Sequence, residues 1–390
     1  MNTNQTPAPH TEGRHPVRTL PVLSRLAALW SAVVAALALW WLLDPGAYPL
    51  SGNGGVNGLT ALLPARLVTI TLGALALAGL LVAHGLGRLG PARAGRRPLL
   101  AIGSAYAVVF GLLVPDLQVL SPLGYLLALT GPVVIVALLL LGARRNPRNL
   151  LYLALVGLVV ALGLAVAGTG RPVVNLLREV VAGFGRVGPR PLYLALLLAG
   201  GVLFGLLTWV VSRQGAAART VEEEREARVR LQRWGTIATW VAAAGPVPYI
   251  LVRATWLTPW PLGVPEQADQ LPPTVRIMGL LLGLAAVGGS LLTIGLVARW
   301  GEVFPAWLPV IGRRPVPVMA AVVPGGLVAA VLCASSISMV MLAADSTWFL
   351  LPMIPTPVWG PALAVAVYAY YVRRTGSGVG SPVTQASPVH

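Results

Sequence analysis

Ten stretches of mostly apolar residues, divided by short polar segments, account for most of this chain. They run over 21–43, 67–86, 98–114, 122–142, 149–168, 191–211, 234–254, 275–298, 316–342 and 348–372. A helix needs about 20 apolar residues to cross the hydrocarbon core of a bilayer. The pattern predicts an all-α fold: a polytopic transmembrane helix bundle of about ten spanning helices. The third run is short and the ninth long, and Pro324-Gly325-Gly326 predicts a break within the ninth. The first run ends in Trp40-Trp41, expected to be an interfacial anchor. It has no small-residue cleavage site, so it reads as a spanning helix and not as a cleaved signal.

The polar segments fix an expected orientation. All 28 basic residues are arginine, and 21 of them fall in segments that share one side if the N-terminus is cytoplasmic. Arginine is retained on the cytoplasmic side of short loops, so both termini are expected inside. Composition agrees: 56% of residues are hydrophobic and 10% charged, against about 25% charged in soluble domains. The net charge of +16 would suggest a nucleic-acid partner if it formed one face. It lies instead in short clusters between spans, with no aromatic module, so no nucleic acid is expected and the bilayer is the implied partner.

Two phrases recur. Thr130–Asn146 reads TGPVVIVALLLLGARRN and Trp359–Thr375 reads WGPALAVAVYAYYVRRT. Gly131, Pro132, Arg144 and Arg145 map onto Gly360, Pro361, Arg373 and Arg374 at an offset of 229, and Asp116 maps onto Asp345 at the same offset. Upstream, Arg66 and Arg88 bracket the second run as Arg276 and Arg299 bracket the eighth. YPLSG at Tyr48–Gly52 answers WPLGV at Trp260–Val264. The reading is a parallel 4+2+4 repeat, since six spans separate equivalent members. It divides the chain into a tail (1–20), a first unit (21–148), a connector (149–213, with an outer amphipathic segment at 171–190), a cytoplasmic helix (214–233), a second unit (234–374) and a tail (375–390). The tails are polar and expected to be disordered. In the cytoplasmic helix, Thr220 followed by Glu223 predicts a capping box.

Candidate chemistry is sparse. Without lysine, Schiff-base chemistry with retinal or pyridoxal phosphate is excluded. The single cysteine, Cys333, allows no intrachain disulfide or cysteine metal cluster. Of four histidines, only His84 lies in an apolar run, so neither paired haem ligands nor a zinc-protease motif is present. No phosphate-binding loop or nucleophile elbow occurs. No catalytic residue, cofactor or metal site is assigned, and an enzyme finds little acid–base equipment here. The candidates for substrate contact or gating are Arg253, Asp116, Asp345, Glu302 and His84. Arg253 follows Pro246 and Pro248 and precedes Trp256 and Trp260. It is expected to face the interior and meet an oxygen partner, Asp345 first and Asp116 second. Glu302 is the only acid of the segment RWGEVFPAWLPVIGRRPVP, and it is expected to pair an arginine such as Arg299.

The stretches TWLTPWPLG, RWGEVFPAWLPVIGRRPVP and WGPALAVAVYAYYVRR resemble a group of polytopic membrane proteins of high-GC actinobacteria. The resemblance covers roughly the second half. That group has no established activity, so the resemblance implies a membrane location and origin and transfers no site. Two functions follow as expectations. One is a transporter-like or permease-like bundle for a small apolar or amphiphilic solute. The alternative is a non-transporting scaffold or accessory subunit that uses the Trp300–Arg314 loop and the charged helix as contacts.

Overall fold

The computed structural model describes residues 19–49, 58–88, 96–120, 189–214, 220–258, 260–263, 273–306, 312–344 and 348–376, with isolated positions between 124 and 178. Among the described residues no strand forms. One isolated bridge, Val303 with Pro315, closes an elbow between helices. Eight described helices are long and apolar enough to cross a membrane. In order the helices are α1 (Thr19–Leu43), α2 (Ala65–Arg88) and α3 (Arg96–Val108), the last extended by a π turn at Val109–Leu113. Then come α4 (Arg190–Gln214) and α5 (Val221–Ala244), the latter continued by α6 (Val247–Thr255). The series closes with α7 (Pro273–Gly295), α8 (Val318–Ala334) continued by α9 (Ser336–Ala344), and the short α10 (Leu350–Met353) leading into α11 (Thr356–Gly376). The runs expected at 122–142 and 149–168, and most of the amphipathic segment at 171–190, lie outside the described residues.

The surface is the reverse of a soluble protein's. Leu29, Leu77, Leu81, Leu251, Leu292 and Val323 point outward, while Asp116, Arg190, Thr208, Ser335 and Ser338 are buried. Large outward apolar faces are stable only against lipid. Of the expected tryptophan anchor, only Trp40 faces out, at 47% exposed. Trp41 is 2% exposed and belongs to the core. The turn of the helix, not the residue type, separates the two.

The described helices bury two apolar cores. The first joins α1, α2, α3 and α4 around an aromatic centre. Trp30 meets Phe110 edge-on at 4.8 Å, and Tyr106 lies 4.7 Å from Phe204. Their polar tips end on main-chain carbonyls: Trp30 Nε1 donates to Leu196 O (2.6 Å) and Tyr106 Oη to Leu75 O (2.7 Å). Rings of this kind are tolerated inside because both ends are satisfied. Residues 191–211, read from the sequence as part of a connector, are thus lodged in the first core. Close approach there depends on glycine: a Cβ on Gly200 would lie 2.0 Å from the Trp30 ring, and one on Gly201 would lie 2.4 Å from Gly111 N. In membranes such small-residue contacts replace the hydrophobic drive that lipid removes. The second core joins α5, α8 and α11 around Leu332, Ala366 and Tyr370. Val331 and Ala334 of α8 reach into the first core and connect the two.

Of two helix breaks, one departs from expectation. The one in residues 234–254 falls where the prolines place it, at Gly245-Pro246 between α5 and α6, with Gly245 pressed on Trp359. There Ser290 Oγ donates to the carbonyl of Ala243 (2.9 Å). In α8, however, the helix runs through Pro324 and breaks eleven residues later at Ser335. A lone proline removes one donor, and in lipid the helix keeps every other backbone bond. At Ser335 and Ser336 the hydroxyls donate back to Val331 O (2.8 Å) and Leu332 O (2.9 Å). Such back-bonding bends helices. Gly360 of α11 also packs directly on the Leu332–Cys333 backbone there.

The capping box forms as the sequence predicts. Thr220 N–H donates to Glu223 Oε2 (2.9 Å) and Glu223 N–H to Thr220 Oγ1 (3.2 Å). Thr220→Ala is expected to weaken the first turn of α5 by about 1 kcal/mol. Amide exchange at residues 221–224 should then quicken while the interior of α5 is unchanged. Equal exchange in both proteins would show that the box contributes nothing.

Candidate functional site

The described acid with the deepest burial is Asp116, fully buried at one end of the first core. Local sequence puts it there in steps. The π turn at the end of α3, closed by Val114 N–H to Val109 O (2.9 Å), turns the chain inward before Pro115. Asp116 then caps a short 3₁₀ turn, its Oδ1 accepting from Gln118 N–H (2.9 Å). Its Oδ2 accepts from Arg190 Nη2 at 2.5 Å, a buried ion pair across 74 residues of chain. Arg190 is the first residue of α4. A cation at a helix N-terminus opposes the helix dipole, so its position there needs an anion close by.

Loop segments complete the site. After α1, Asp44 accepts from Gly46 N–H (3.2 Å) and Pro45 starts a 3₁₀ turn that folds Tyr48 back over Trp41. Burial pushes the Tyr48 phenol up to about 12, with the Arg190 charge pulling the other way. Tyr193 stacks edge-on against Trp41 at 5.2 Å. The chain before α2 passes against the aspartate at Gly58, where a Cβ would lie 2.8 Å from Asp116 Cβ. Thr60 follows, also buried. Trp41 Nε1, Thr60 Oγ1 and Gln118 Oε1 are buried without a hydrogen-bond partner among the described residues. Orphaned buried polar atoms are few in native proteins. Three of them stand at the same end of the first core as an ion pair bordered by aromatic rings. No group of three or more potential metal ligands occurs among the described residues.

The other candidates lie apart. Asp345 is outside the described residues. Arg253 is half-buried on α6, and its guanidinium sits over the rings of Trp256 (3.9 Å) and Tyr249 (4.8 Å). No hydrogen bond from Arg253 to an acid or carbonyl is formed among the described residues. Its partners among the described residues are π faces, a contact that cation–π attraction supports. Gly283 of α7 makes room for it. His84 is exposed on α2 and does not enter the bundle. Glu302 pairs with Arg373 (3.2 Å) and not with Arg299. The reason is the elbow. Val316 N–H donates to Glu302 O and Phe304 N–H to Arg314 O, pairing residues 302–304 with 314–316. Arg374 Nη2 then donates to Val316 O (2.8 Å) and Tyr370 Oη to Gly301 O (2.8 Å).

Arg190, Tyr48, Trp41, Thr60 and Gln118 are not among the site candidates read from the sequence. The available signals were an arginine opening a helix and a tyrosine in the YPLSG turn. The fold and these buried polar groups define a multi-pass helical membrane protein. Comparison with protein-family models, with curated proteins and with solved structures finds no match.

Proposed function

We propose that the protein is a transporter-like bundle that moves a small amphiphilic solute, and that the Asp116–Arg190 pair closes one end of its first half. The observation that carries this reading is the ion pair standing at the same end of the core as three buried, unsatisfied polar atoms. A pair selected for stability alone gains little over apolar packing. A pair beside spare polar capacity suits a site that exchanges one set of partners for another. The aromatic border of Trp41, Tyr48 and Tyr193 would take the apolar part of the solute. Gly301 and Val316, at the two ends of the elbow, are fastened to α11.

The same reading carries the ten-span topology, both termini in the cytoplasm of a bacterial cell, and the parallel 4+2+4 repeat. Contact between Asp116 and Arg190 agrees with the two crossings that this topology puts between them, since an even number returns a chain to the same side. Reporter fusions after Gly52, Arg97, Gly170, Gln214, Gln267 and Arg313 are expected to read outside, inside, outside, inside, outside, inside. The function itself is tested by counterflow of labelled amphiphilic weak acids and amines into proteoliposomes. Uptake of one class above protein-free vesicles, abolished by Asp116→Asn, is the expected result. No saturable uptake across the panel would refute it.

A further inference from the structure

We infer that the cleft between α5 and α11 binds the phosphate of an anionic membrane lipid. The cleft holds about 390 Å³ and is lined by Arg228, Leu231 and Gln232 of α5, Glu302 of the elbow, and Ala369, Val372, Arg373 and Arg374 of α11. Three guanidinium groups face one carboxylate, so the cleft is net cationic. Glu302 is already engaged by Arg373.

The arginines from α11 are held in place before any ligand arrives. Arg373 Nη2 donates to Leu296 O (2.6 Å), and Arg374 Nη2 to Val316 O (2.8 Å). Fixing a guanidinium in advance removes much of the entropy cost of binding. Its planar fork suits phosphate oxygens better than an ammonium would. The third arginine, Arg228, is exposed on the opposite wall and can close over an anion.

Position selects a lipid over a soluble anion. Leu231, Ala369 and Val372 give the cleft an apolar wall beside its cationic one, the division a phospholipid itself carries. Trp234, exposed one turn further along α5, suits the depth where tryptophans mark the headgroup layer. This end of the bundle also carries Arg88, Arg96 and Arg213, the side the arginine bias assigns to the cytoplasm, where anionic lipids concentrate.

The test uses the full-length protein purified in detergent, with bound lipid read by native mass spectrometry and by thermal shift. Phosphatidylglycerol should be retained and raise the melting temperature, and phosphatidylcholine should do neither. Arg228→Glu is expected to weaken phosphatidylglycerol binding about tenfold or more. Arg230→Glu makes the same charge change on the opposite face of α5 and should leave binding intact. Equal retention of both lipids, or equal loss in both variants, overturns the site. Stabilisation by inorganic phosphate alone, matching that of the lipid, overturns the lipid assignment in favour of a soluble phosphate. Because Arg228 lies on an exposed stretch of α5, the melting temperature of the lipid-free variant separates a failure to bind from a failure to fold.

Discussion

Arg190→Met is expected to destabilise the protein by about 3–5 kcal/mol, the largest effect of any single substitution at the described polar residues. The loss comes less from the missing attraction than from what remains. Asp116 is fully buried, and without the guanidinium its charge has no compensation except the Gln118 amide. Adding Asp116→Asn should restore most of the stability, because asparagine keeps the cap on Gln118 N–H while carrying no charge. Equilibrium unfolding in mixed micelles checks the cycle. Additive losses in the double variant would show that the two residues act independently and that the pair is incidental.

The second large effect is steric. Gly201→Ala should cost about 1–3 kcal/mol or more, although alanine is the better helix former by about 1 kcal/mol. The added Cβ would meet the Gly111 backbone at 2.4 Å, and backbone cannot rotate away. Gly205→Ala, one turn further along α4, meets only Ala107 Cβ at an ordinary 3.5 Å. It should be neutral or stabilising. Thermal unfolding of the two variants decides the matter. Similar melting temperatures would mean that α3 and α4 do not cross as closely as described.

The sequence carried the helices well because their signal is local. Twenty apolar residues, a Thr-Val-Glu-Glu start and a Gly-Pro step each act within a few residues of themselves. α1, α2, α4, α7 and α11 therefore fall close to the apolar runs, and the capping box at Thr220 is present. Partner choice is not local. Asp116 stood out as an acid at a helix end, yet nothing near it names Arg190, 74 residues on. Glu302 took Arg373 because the elbow folds back, which residue spacing does not reveal. Pro324 was given too much weight, since the backbone break belongs to the paired serines at 335 and 336. Arg253 shows the same limit. Tyr249 and Trp256 stand four residues before it and three after, on one helix face. The ring partners were legible there.

Cys333 is the protein's single cysteine, so a Cys333→Ala background allows one thiol to be placed at will. In that background Thr60→Cys puts a near-isosteric thiol at the end of the first core where the Asp116–Arg190 pair lies, at a side chain that is buried in the closed bundle. A membrane-impermeant maleimide, applied to either side of sealed vesicles, reports whether that end opens. The account predicts no labelling while the pair is intact. It predicts labelling from the side opposite the arginine-rich end once Asp116→Asn and Arg190→Met remove the pair without unfolding the protein. Continued protection in that folded double variant, or labelling from the arginine-rich side, would contradict a closing pair and leave a static polar plug.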